Sequence, residues 1–150
     1  MIDKTATGFA PVAFGAFKTS AAHGHAARLG ALFDSVSDAI AAHSPDAVAV
    51  ERLFFNSNVR TAIAVGQASG AVLSAAARAG LEVVEYTPGE VKQAVAGVGN
   101  APKKQVQAMV TTLLKLGETP RPPDAADACA LAICHINRAG LATALARAAR

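Results

Sequence analysis

A chain of 150 residues, 52% hydrophobic and 17% charged, has the size and apolar content of one globular domain, residues 1–150, and is neither disordered nor fibrous. Its net charge of +3 permits a nucleic-acid partner without demonstrating one. No window holds the ~18–20 unbroken apolar residues of a membrane span, and MIDKTATGFAP has acid and lysine where a signal peptide has an apolar stretch, so the expected location is the cytosol.

Met1–Ile2 and FAPVAFGAFKT (9–19) read as two strands joined through KTATG. From Ala21 to His43 the pattern turns helical, with Leu29, Leu32, Phe33, Val36 and Ile40 on one face. SPDAVAVE gives a loop and a short strand, Ala47–Glu51, apolar on both sides as buried parallel strands are. Residues 57–79 form a helix rich in small residues, closed by Gly80, and LEVVEY (81–86) is another strand. Thr87-Pro88-Gly89-Glu90 is a capping box with proline at the first helical position, opening a short helix around Val91–Ala96. Gly97 and Gly99 break that helix. Asn100 then caps a longer one to Leu116, apolar at Val106, Met109, Val110, Leu113 and Leu114, and Gly117 stops it. Residues 124–138 are a further helix, and LATALARAAR (141–150) is a last amphipathic segment. Strands alternating with helices argue an α/β sheet with crossover helices. Cys129 and Cys134 stand about 140° apart around their helix, so they do not pair and are expected to be reduced core thiols.

The acids are few and sit at element ends. Asp124 and Asp127 admit two readings: an N-cap with an acid that suits the helix dipole, or half of a metal site. Glu51 favours the second. It ends a short apolar strand, where a carboxylate costs free energy unless it is paired or binds a cation. That end of an open α/β sheet is where ligands bind. Arg52 is adjacent and points to the opposite face, so it is not a direct partner. A strand-end acid plus two acids opening a late helix makes a set of hard oxygen ligands for Mg²⁺ or Mn²⁺. Two such ions can activate a water and stabilise the leaving oxygen of a phosphodiester.

Three segments carry a family resemblance: VAVERLFFNSNVRTAIAVGQASG (48–70), YTPGEVKQAVAGVGNAPKKQVQAMV (86–110) and DAADACALAICH (124–135). Together, and in this order, they resemble the RuvC-type Holliday-junction resolvases over nearly the whole chain. The resemblance implies a ribonuclease-H-like fold, a mixed sheet flanked by helices. It also implies Mg²⁺-dependent, symmetric cleavage of four-way DNA junctions by a homodimer, in recombination and repair, with two ions per site and a branch-migration motor complex as partner. The family's catalytic and metal-binding acids carry over to Glu51, Asp124 and Asp127. Its fourth acid lies on the first, central strand. Asp3 is a poor match, because Lys4-Thr5 stands where the family has Pro-Gly and only two residues precede it. Residues 1–20 fit better as the second and third strands, with Asp3 at the hairpin loop and the first strand upstream of Met1. On that register the chain is expected to be a shortened resolvase, impaired in activity and stability. A non-catalytic junction-binding dimer and a ribonuclease-H-like nuclease with another substrate are the alternatives.

Phe54 follows Glu51, and an aromatic there either stacks on an unpaired junction base, as the resemblance implies, or belongs to the core. Phe55 is more a core residue. Lys92, Lys103 and Lys104 flank AGVGN, where a glycine pair lets backbone N–H groups approach a phosphate. The resemblance assigns Lys92 and Lys103 to the scissile strand and leaves Lys104 as added charge. Arg52 and Arg60 are weaker DNA candidates. His135 is read as a helix-face histidine. The small residues Gly66 and Gly70 beside Gln67 permit close packing, and the resemblance places a dimer contact there.

Overall fold

The computed structural model describes residues 1–52 and 59–148. Along the chain run β1 (Ile2–Thr5), β2 (Gly8–Pro11), α1 (His25–His43), β3 (Ala47–Glu51), α2 (Val59–Arg78), β4 (Glu82–Tyr86), α3 (Pro88–Ala96), α4 (Lys103–Leu113) and α5 (Pro123–Ala148). The described strands pair as β1 with β2 and β3 with β4. No helix is long and apolar enough to cross a membrane among the described residues. The chain divides into two compact units: Met1–Ala16 with Tyr86–Arg150, and Phe17–Glu85.

In the first unit, β1 and β2 are antiparallel, with Ile2 opposite Pro11, Asp3 opposite Ala10 and Thr5 opposite Gly8. The hairpin is as expected, but its turn is shorter. Asp3 therefore lies within a strand and not at the loop, exposed beside Lys4. The second strand stops at Pro11, because a proline has no N–H with which to continue a ladder. α3, α4 and α5 pack on one another, and α5 also meets β1. Ala125, Ala126, Cys129, Ala130, Ile133 and Cys134 form the buried stripe of α5, at the spacing that keeps one helix face inward. Val91 and Val95 of α3 and Val106, Val110 and Leu114 at α4 complete this core. Both cysteines are free and buried, as expected, and burial pushes both thiols up from their ordinary pKa, which keeps them protonated and inert.

The capping box at α3 is present in both directions. Glu90 N–H donates to Thr87 Oγ1 at 3.2 Å, and Thr87 N–H donates to Glu90 Oε2 at 2.8 Å. Gly97 closes the helix at φ 78°, a left-handed conformation that costs glycine nothing. We expect Thr87→Ala to lower stability by about 1 kcal/mol and Thr87→Ser, which keeps the accepting oxygen, to restore most of it. Denaturant melts of the two variants check this; equal losses would show that the hydroxyl is not the stabilising group.

Helix boundaries also differ from the sequence reading. Asn100 does not cap α4; Pro102 does, at φ −67° with extended ψ and with no side-chain cap hydrogen bond. Its fixed φ suits the helix entry, and the helix starts only after it. The 124–138 helix and the last segment are one helix, α5, that runs through Gly140. A single interior glycine costs about 1 kcal/mol, too little to end a helix held by packing. At Gly140 an added Cβ would lie 2.8 Å from Lys4 Nζ, so the missing side chain leaves room for that lysine.

In the second unit, α1 packs along α2. Leu29, Leu32, Phe33, Val36 and Ile40 are all half-buried on the expected face. The helix begins at His25, not Ala21, after Gly24. β3 occupies Ala47–Glu51 as read, and α2 is followed by Gly80 at φ 73°.

Candidate metal and nucleic-acid site

Asp124 and Asp127 are both exposed in the first two turns of α5. Pro122 and Pro123 set the start of this helix, and Ala125 N–H donates to the Pro122 carbonyl at 2.9 Å. Asp124 thus stands inside the first turn and is not the N-cap. The helix dipole still favours its charge there. Three residues on, Asp127 lies on the same side of the helix, while Ala125 and Ala126 between them turn into the core. Burial of the alanines is what aims both carboxylates at solvent.

Lys103 and Lys104 are the first two residues of α4, exposed, and α4 has no acid in its first turn. Cations at a helix N-terminus work against the dipole, so this placement costs stability unless an anion is near. For Lys103 that anion is Asp127: Lys103 Nζ donates to Asp127 Oδ2 at 2.7 Å. Sequence reasoning missed this pair. It spans 24 positions and depends on how α4 lies on α5, for which no local pattern exists. Lys92 is half-buried on α3.

A second cluster, also unforeseen, ties α3 to α5. Glu90, whose Oε2 serves the cap, pairs through Oε1 with Arg138 at 2.9 Å. The Arg138 guanidinium stands 5.6 Å from the Tyr86 ring centroid. Tyr86 Oη hydrogen-bonds to His135 Nδ1 at 3.0 Å, and the two rings meet edge-on. Cys134 Sγ–H donates to the Glu90 carbonyl at 3.7 Å. His135 is therefore a half-buried packing residue. The capping box was the one legible part of this cluster.

In the second unit, Glu51 ends β3 and is exposed, so the desolvation argument made for it from sequence does not hold. Arg52 pairs with Glu85 at 3.8 Å, both half-exposed, and not with its neighbour Glu51, as strand alternation requires. Phe54 and Phe55 lie outside the described residues. So does the side chain of Arg60. Among the described residues no group of three or more His, Cys, Asp and Glu gathers closely enough to hold a metal ion. The donor chemistry of the α5 pair nevertheless fits a hard divalent cation: two carboxylates, solvent-facing, one turn apart.

Residues 1–135 match the family model for the crossover junction endodeoxyribonuclease RuvC. The crossover junction endodeoxyribonuclease RuvC of Rubrobacter xylanophilus is 56% identical over 124 residues, which cover 83% of this chain and 69% of that protein. The one from Desulfitobacterium hafniense is 50% identical over 141 residues, 94% of this chain and 86% of that protein. Among solved structures, Thermus thermophilus RuvC in complex with Holliday junction substrate aligns at a TM-score of 0.88 and 40% identity, covering 95% of this chain and 87% of that one.

Proposed function

This chain belongs to the crossover junction endodeoxyribonuclease RuvC family, and from that premise we propose that it is a ribonuclease-H-like endonuclease that resolves four-way DNA junctions by hydrolysing phosphodiesters. The observation that carries the reading onto these residues is the exposed Asp124 and Asp127 pair, held at the start of α5 by a buried stripe. The family match runs unbroken across both compact units, which supports one nuclease domain.

In this reading Asp124 and Asp127, with Glu51, hold Mg²⁺ or Mn²⁺, two ions per site. The bound ions supply an activated water and charge for the leaving oxygen. The chain's own part is positional. The α5 carboxylates fix where the scissile phosphate can sit. Lys92, Lys103 and Lys104 neutralise phosphates of the strand to be cut, and Phe54 stacks on a base at the junction centre. A homodimer would present two such sites for symmetric cuts. Ile63, 56% accessible on α2, shares a helix face with Gly66 and Gly70 and supports a partner surface there. The branch-migration motor is inferred from the family alone.

The test compares a synthetic four-way junction with a linear duplex of the same sequence. Paired nicks are expected in the junction only, lost with a chelator and regained with Mg²⁺. Junction binding without cleavage in Mg²⁺ or Mn²⁺ would favour a non-catalytic junction-binding dimer instead.

A further inference from the structure

The Lys103–Asp127 pair joins two groups to which the proposed function gives different tasks. The ammonium lies 2.7 Å from Oδ2, and the two side chains are 58% and 48% exposed. At that distance it uses lone pairs that a hard cation would use. A dication seated on Asp127 would also face an ammonium a few Å away, and that repulsion outweighs the modest attraction of a half-exposed pair. Lysine can leave, because its charge rides on a flexible stem of four carbons. Its own position then gives it a reason to find another anion. It stands at the N-terminus of α4, next to Lys104 and with no acid in that turn.

We propose that Lys103 is a counter-ion that a divalent cation displaces from Asp127, and that the displaced ammonium becomes a phosphate contact. Before loading, Lys103 offsets the repulsion between Asp124 and Asp127, like charges one turn apart. After loading, the cation does so, and Lys103 serves the DNA. Metal and junction binding are then coupled, and by linkage each strengthens the other. This rests on reading Asp127 as a metal ligand and Lys103 as a DNA residue.

The experiment titrates Mn²⁺ into the full chain without DNA, followed by electron paramagnetic resonance, for the parent, Lys103→Gln, Lys104→Gln and Asp127→Asn. Lys103→Gln is expected to bind Mn²⁺ between about two- and tenfold tighter, and Lys104→Gln to stay within about twofold of the parent. Junction affinity is then measured against salt, with and without Ca²⁺. On adding Ca²⁺ the parent's slope of log affinity on log salt should steepen by about 0.9 more than that of Lys103→Gln, one phosphate contact's worth. Unchanged or weaker Mn²⁺ binding by Lys103→Gln, with Asp127→Asn impaired, would sink the displacement and leave the metal site standing. Parent-like Mn²⁺ binding by Asp127→Asn would remove the metal-ligand reading and this inference with it.

Discussion

Asp127→Asn is expected to slow Mg²⁺-dependent junction cleavage by at least about a hundredfold, the scale seen when metal ligation is disturbed, while stability changes by no more than about 1 kcal/mol. The two effects separate because Asp127 is exposed on α5 and its neighbours Ala125, Ala126 and Cys129 make the buried contacts. Asparagine keeps the shape and the helix. It gives up a negative charge and the ion pair with Lys103, and a half-exposed pair of that kind contributes little to folding. Single-turnover cleavage beside a thermal melt checks both halves. Cleavage within tenfold of the parent would mean that Asp127 ligates no essential ion.

The largest loss of stability is expected from Ile133→Ala. Ile133 is 0% exposed, the largest of the wholly buried side chains among the described residues, on the α5 stripe. Its companions on that stripe are alanines and cysteines, short side chains that cannot reach into a vacated space. A cavity that cannot collapse carries the full penalty, so a cost of about 3 kcal/mol is expected. For a chain of this length that lowers Tm by roughly 6–12 °C. Leu141→Ala, at a position 61% exposed on the same helix, should move stability by less than about 0.5 kcal/mol. Calorimetry on the pair decides; similar shifts would show that burial on α5 is not what holds this unit together.

What could be read in advance was what local chemistry determines. β3 was legible to its ends because SPD breaks the chain before Ala47 and the apolar run closes at Glu51. The α3 start was legible because a capping box and a proline coincide at Thr87 and Pro88. The errors arose where two local signals competed. Asn100 is a good cap in isolation, but Pro102 lies closer to the helix and dictates its backbone. Residues 124–138 and 141–150 read as separate segments, and one helix, α5, runs through both. The candidate site divides in the same way. Asp124 and Asp127 stand out as a spaced pair, and the metal role proposed for them drew on Glu51 and on the family resemblance. The Lys103 contact has no trace in either segment, since neither α4 nor α5 alone specifies the other's placement. Burial of Glu51 was inferred from the apolarity of its strand, yet a strand end can be apolar and still open to water.

The division of the chain also bears on the order in which the protein can be made. Residues 17–85 are contiguous, so that unit has all of its parts as soon as the ribosome passes β4. The other unit is assembled from both sides of that stretch. The β1–β2 hairpin leaves the ribosome before that stretch, and the helix it rests on, with Gly140 beneath Lys4, only after it. A lone two-stranded hairpin is marginal in water. The hairpin must therefore wait, unsupported, while residues 17–85 and α3 to α5 are made, and the buried face of α5 closes only then.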